Sequence, residues 1–203
     1  MLRLPFDEQW LTFWGGDTAK LNHHHENASQ RFAFDFIQVN EDGGFFATDG
    51  KSNEDYYSFG KNILAPAKGV VIEVVDGVRD NTPGNMNTYS ITGNYVIIKH
   101  GDKESSLLAH LHNGSTVVKV GDALSVGQKI SECGNSGHST DPYLHYQLQN
   151  SDIFARVNKG YKKLNVAKGI KVTFSNVIVE RAGKLTRYSK HSPIKGDKVE
   201  IAQ

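Results

Sequence analysis

Short runs of β-branched, aromatic and aliphatic residues, each closed by a turn signal, constrain this chain more than any other feature. They are read at residues 32–39, 69–75, 95–100, 105–112, 116–120, 143–149, 170–174, 177–180 and 198–201. Between them stand Asp42-Gly43-Gly44, Asp76-Gly77, Thr82-Pro83-Gly84-Asn85, Asn113-Gly114, Gly121-Asp122 and Ala182-Gly183, the residue types that tight turns require. Short strands with such punctuation predict an all-β fold, an antiparallel sandwich or barrel. The polar, tyrosine-bearing segment 49–61 reads as an excursion from the sheet, and a helical turn is expected near 159–165.

A length of 203 residues suits one domain with an extension, at about 100–200 residues per domain. Charge marks the division. Residues 1–153 carry 11 basic and 19 acidic side chains, whereas 154–203 carry 12 basic and 3 acidic. The expected organisation is a main domain over 1–153 and a basic β extension over 154–203, packed on the same domain. The extension is a solvated basic face or a docking face for an anionic polymer. A net charge of +1 gives no support for nucleic-acid binding. No apolar run approaches the ~20 residues that span a bilayer. The N-terminus has an early arginine but no apolar core segment, so no signal peptide is visible. With one cysteine, Cys133, neither an intrachain disulfide nor a cysteine-rich zinc site can form. In a strand-to-turn context that thiol reads as packed rather than nucleophilic.

Nine histidines raise the question of a metal, and strand alternation sorts them. In the run from Tyr143, Leu144, Tyr146 and Leu148 make a core face, while Tyr143, His145 and Gln147 share a polar one. In the run from Leu107, the same alternation sets Leu107, Ala109 and Leu111 on one side and Leu108, His110 and His112 on the other, aiming both histidines one way. Phe32, Phe34 and Phe36 form an apolar face opposite Ala33 and Asp35. A carboxylate inside such a strand is costly unless a cation or donor meets it. His23-His24-His25 precedes that strand, as a surface loop or a ligand source. Two histidines and an aspartate make a three-ligand zinc site with an open fourth position, the catalytic pattern. The sequence has no Gly-x-Ser-x-Gly elbow, phosphate-binding loop or His-Glu-x-x-His helix.

Six segments, in order, carry a resemblance. They are Asn22–Phe36, with its Asn-x-His and Gln-Arg-x-Ala-x-Asp-Phe elements; the Ala65-Pro66-x-x-Gly69-Val70-Val71 strand entry; Gly93-Asn94-Tyr95 through His100-Gly101; Ala109-His110-Leu111; Val120-Gly121-Asp122 through Gly134-Asn135-Ser136-Gly137; and Pro142-Tyr143-Leu144-His145-Tyr146. Between Gly15 and Leu148 the chain resembles the lysostaphin/LytM-type zinc endopeptidases. The resemblance implies an antiparallel fold of the duplicated-hybrid-motif type, a groove floored by a sheet, and one Zn²⁺. It implies His24, Asp35 and His145 as ligands, with His25 and then His23 as alternatives to His24, and a longer His-to-Asp loop than the family often has. His110 matches the active-site histidine beside the zinc-bound water.

Tyr143 departs from the family, which has a second active-site histidine there. A phenol of pKa ~10 is a poor base near neutrality, so its implied role is donation to the oxyanion. The implied activity is hydrolysis of cell-wall peptidoglycan peptides in an extracytoplasmic compartment, periplasmic or secreted, with anionic wall polymer as a further partner of the basic extension. The rival is a catalytically weak, zinc-loaded binding or regulatory module of the same fold.

Overall fold

The computed structural model of the chain describes residues 1–150 and 167–202. These residues contain thirteen strands and two short 3-10 turns. The strands are β1 (Trp10–Trp14), β2 (Phe34–Ile37), β3 (Asn62–Leu64), β4 (Gly69–Val75), β5 (Asn94–Gly101), β6 (Glu104–Leu111) and β7 (Ala123–Leu124). They continue with β8 (Lys129–Glu132), β9 (Leu144–Gln149), β10 (Gly169–Ile170), β11 (Phe174–Arg181), β12 (Lys184–His191) and β13 (Lys198–Ile201). One large sheet runs β12-β11-β13-β1-β2-β9-β6-β5-β4-β7, with β10 on the end of β9, and β3 and β8 form a separate pair. All these strand pairings are antiparallel. The expected all-β class is the fold.

Alternation places the core. On β9, Leu144, Tyr146 and Leu148 enter the main cluster with Phe34 and Phe36 of β2. Val172, between β10 and β11, joins that same cluster with Phe174, Val177, Val179 and Val199 of the C-terminal strands. On β5, Val96 and Ile98 face it, while Tyr95 and Ile97 meet Leu107 and Ala109 in a second, smaller cluster. Phe6 stacks on Trp10 at 4.8 Å between ring centroids and meets Phe36 edge-on at 5.1 Å, an arrangement that stabilises beyond the area these rings bury.

One expected strand is absent, and β12 and β1 are strands the sequence did not predict. Residues 116–120 form no ladder: Val118 alone is buried, Val117 and Val120 are exposed, so the alternation fails at Val120, and the run is tied to β8 through Val117 N–H donating to Ile130 O at 3.0 Å. Strand β12 carried no apolar signal because it is an exposed edge, and its lysines suit an edge that must not pair with another chain. Strand β1, Trp-Leu-Thr-Phe-Trp, buries polar Thr12 and exposes Phe13, so its alternation is hidden from a hydropathy reading. The turn expected near 159–165 lies outside the described residues. The segment 49–61 does leave the sheet, with one 3-10 turn at Asn53–Asp55, and it walls the cavity described next.

Candidate metal centre and groove

Asp35 and His145 are direct cross-strand partners on β2 and β9, so their side chains stand side by side on one face. His145 Nδ1 lies 3.0 Å from Asp35 Oδ1. The other oxygen, Oδ2, faces the three-histidine segment: His24 Nε2 lies at 3.0 Å and His23 Nε2 at 3.3 Å. This segment is a 3-10 turn, His23–Glu26, not a loose loop. Asn22 fixes it. Its Oδ1 accepts from His24 N–H at 3.1 Å, and its Nδ2 reaches the carbonyls of Gly16, Arg31 and Ala33. A fully buried asparagine satisfied in this way explains the Asn-x-His spacing: it caps the turn and aims His24 at Asp35.

Outer partners set the tautomers. Gln147 donates its Nε2–H to Gln149 Oε1 at 2.8 Å, so its own Oε1 accepts from His145 Nε2–H at 3.1 Å. Gln30 Oε1 lies 3.2 Å from His24 Nδ1 and accepts there. With its outer nitrogen donating to a glutamine, each ring presents its inner nitrogen, His145 Nδ1 or His24 Nε2, to the carboxylate; that atom donates to Asp35 while it carries a proton and is the one that would ligate a metal once it does not. Burial alone would raise the Asp35 pKa, but hydrogen bonds from His145, His23 and His24 outweigh it and hold the carboxyl well below the usual range. Burial lowers His24 despite Asp35. For His145 the carboxylate outweighs burial, and its pKa rises. An ionised carboxylate ringed by imidazoles, at 3–10% exposure for the buried members, is a donor set suited to Zn²⁺.

His110 sits at a break in β6. Its φ is +61°, a left-handed conformation that non-glycine residues adopt rarely and often at functional sites. The ladder to β5 slips there, between the Tyr95–Ala109 and Asn94–Leu111 pairs. This bulge overturns the simple alternation of residues 107–112: Leu111 joins Leu108 in the main core instead of siding with Ala109. It also parts the two histidines. His110 Nδ1–H donates to Ser136 O at 2.8 Å, and its Nε2 accepts the Tyr143 hydroxyl at 2.8 Å. His112 Nδ1 instead faces Asp80 Oδ2 at 2.8 Å, away from the carboxylate centre. Burial, then the charge of His145, lower the His110 pKa to about 4, so this ring is neutral at physiological pH. The Tyr143 phenol is pushed well above its usual value by burial and by Asp35.

The Gly134-Asn135-Ser136-Gly137 segment holds His110 in place. Gly137 has φ +81°, and a Cβ there would lie 2.3 Å from Gly93 N. The two glycines let both loops close, which presents the Ser136 carbonyl to His110. Beside this centre lies a cavity of about 290 Å³, lined among others by Phe13, Trp14, Phe45, Tyr56, Met86 and Tyr143. The Tyr56 hydroxyl donates to Asp141 Oδ1 at 2.7 Å across it. Cys133 is fully buried, and burial pushes its thiol up, which removes it as a nucleophile.

Residues 55–161, more than half of the chain, match the profile of peptidase family M23. The chain belongs to this family. Among curated relatives, it is 34% identical over 90 residues to the peptidoglycan DD-endopeptidase ShyA of Vibrio cholerae, 42% of this chain and 20% of that protein. It is 30% identical over 135 residues to the peptidoglycan DD-endopeptidase ShyC of the same organism, 64% of this chain and 29% of that protein. The chain therefore spans less than a third of the length of these relatives. The catalytic domain of the prophage-encoded M23 protein EnpA from Enterococcus faecalis, as its A109H mutant, superposes with a TM-score of 0.47 and 18% identity, covering 84% of this chain and 94% of that one. The M23 segment contains His110, Tyr143 and His145, whereas His24 and Asp35 precede it.

The structure gathers the five residues that the resemblance implies, His24 and His145 on the Asp35 carboxylate and His110 with Tyr143 beside them, and leaves His112 apart. It adds Gln30 and Ser136, which lay in the family-like segments without an assigned role, and Trp14, which the sequence did not single out. Gln147 shared the polar face of β9 with His145 in the sequence, and its amide now has a stated partner there.

Proposed function

We propose that this M23 peptidase-family chain is a zinc-dependent endopeptidase that hydrolyses peptide bonds in bacterial peptidoglycan. The observation that carries the reading is the convergence of His24, Asp35 and His145, with both imidazoles oriented by outer glutamines. These three residues would hold the ion and leave an open coordination position. When bound, zinc supplies Lewis-acid polarisation of the scissile carbonyl and lowers the pKa of its water towards ~7.

The chain's own residues supply the rest. Neutral His110 offers its Nε2 lone pair as a proton acceptor. In the resting arrangement that lone pair takes the Tyr143 hydroxyl. Once Nε2 carries a proton, it donates to the Tyr143 oxygen, and the phenolic O–H is released to point into the groove as an oxyanion donor. The aromatic cavity seats the peptide and excludes water from that pair. A peptidoglycan substrate places the protein outside the cytoplasm.

The second reading, a zinc-loaded binding module, is favoured by one observation: the Tyr143 hydroxyl occupies the acceptor atom of His110. Anionic wall polymer remains a proposed partner of the basic extension. Its described cations include Lys184, Arg187 and Lys190 on the exposed edge strand β12. Lys171 is paired with Asp17, while Lys162 and Lys163 lie outside the described residues.

Elemental analysis of purified protein, with digestion of purified peptidoglycan, tests the proposal. Wild type should hold one zinc per chain and release peptides, and Asp35→Ala should lose both properties. Stoichiometric zinc in Asp35→Ala would remove the ligand assignment, and an inert, zinc-loaded wild type would favour the binding module.

A further inference from the structure

Four imidazole and carboxylate groups, not three, crowd the candidate centre. Ligand atoms of His23, His24 and Asp35 all lie within 4.8 Å of one another. His23 Nε2 is 2.9 Å from His24 Nε2 and 3.3 Å from Asp35 Oδ2. His145 meets the opposite oxygen of the same carboxylate. We infer that His23 is a fourth, displaceable protein ligand of the ion held by His24, Asp35 and His145, closing the coordination position that a substrate carbonyl must enter. The inference rests on the zinc reading above.

His23 differs from the other two histidines in what supports it. His24 and His145 are held from behind by Gln30 and Gln147, and their side chains are 10% and 5% exposed. The His23 side chain is 52% exposed. Its ring lies flat on Trp14, with centroids 4.9 Å apart and planes 5° from parallel. Trp14 is itself covered by Lys195 Nζ, 3.4 Å from its ring centroid. The stack holds His23 towards the carboxylate without burying it, so the ring can swing out without opening the core.

Closure has a direct consequence. Four protein ligands make the closed, structural type of zinc site, whereas catalysis needs an open position. His23 and Trp14 both line the groove cavity. A peptide entering that cavity competes with the imidazole for the Trp14 face as its carbonyl approaches the ion. The resting centre is then latent, and substrate binding opens it.

Zinc K-edge X-ray absorption on the wild-type protein counts imidazole ligands without any mutation. The expected count is three at rest, falling to two when the hydroxamate of a short glycyl peptide is added. His23→Ala should show two in both conditions. In a chelator competition, His23→Ala should bind zinc at least tenfold more weakly, since even an outer-sphere partner of a ligand is worth about 10–100-fold in affinity. His25→Ala, whose ring faces Glu26, should bind zinc as wild type does. Two imidazoles in resting wild type, with equal affinity in His23→Ala, overturn the inference and leave the three-ligand reading intact. Three imidazoles that persist with the hydroxamate overturn displacement. A wild type that holds no stoichiometric zinc defeats the underlying zinc reading itself.

Discussion

Tyr143 and His110 should act as one unit, and a double-mutant cycle measures this. Each single change removes a defined atom. Tyr143→Phe deletes the hydroxyl that donates to His110 Nε2 over 2.8 Å and leaves the ring in the groove. His110→Ala deletes the acceptor and its 2.8 Å bond to Ser136 O. Loss of an oxyanion donor typically costs about 10²–10³ in rate, roughly 3–4 kcal/mol. Loss of a general acid–base group costs about 10²–10⁴. In the proposed scheme the phenol is released only after His110 takes a proton, so the tyrosine acts through the histidine. The double mutant should therefore be no slower than His110→Ala by more than a few-fold, far from the product of the two losses. The assay is peptide release from purified peptidoglycan at equal zinc occupancy, which both variants should retain. Multiplying losses would show two independent roles. An unchanged Tyr143→Phe would remove the phenol from catalysis. A near-inert wild type that gains activity as Tyr143→His would establish the binding module.

Gln147→Leu should weaken zinc binding by about 10–100-fold, because the amide that orients His145 is lost; chelator competition reads this. His112→Ala should leave turnover nearly unchanged, since its ring faces Asp80 and not the carboxylate centre, while denaturant titration shows a loss of about 1 kcal/mol, one hydrogen bond's worth. Asp197 predicts an acid-sensitive C-terminal unit. Burial would raise its pKa, but His191, Arg181 and the Ile194 N–H outweigh burial and hold it at about 2. A carboxyl so depressed contributes stability at pH above its unfolded value of ~3.9, about 2 kcal/mol, and loses it as pH falls towards 2. The melting-temperature gap between wild type and Asp197→Asn should be full at pH 5 and shrink as pH falls below 4; a gap independent of pH would contradict the ion-pair account.

Where a strand is regular, its sequence alone marked the residues that the structure brings together at the candidate centre. On β9 the period of two divides Leu144, Tyr146 and Leu148 from His145 and Gln147, and the structure keeps that division because a one-residue slip would turn the whole core face outward. Asp35 was legible for the same reason: alternation with Phe34 and Phe36 marked a carboxylate that needed a cation or donor. The connectivity that completes the centre was not legible. Gln30 and Ser136 stood in family-like segments, but Gln30 lies in an irregular loop where spacing does not show what its amide meets, and the Ser136 contact is made by a backbone carbonyl, which no residue type marks.

His110 shows where such reading must fail, and why the failure falls at the site. Period-two reasoning assumes extended backbone at every residue. The left-handed His110 inserts a bulge, so Leu111 turns to the main core and His112 to Asp80. A regular strand would send His110 and His112 to the same side and give the groove two equivalent rings. The bulge gives it one, with Nδ1 spent on Ser136 O and Nε2 alone left for proton transfer. A non-glycine residue held at positive φ costs on the order of 1–3 kcal/mol and persists only where its surroundings fix it. Here the Ser136 carbonyl, presented by the close approach of Gly93 and Gly137, and the Tyr143 hydroxyl do so. The local rule is broken at the residue whose single free nitrogen the proposed chemistry requires.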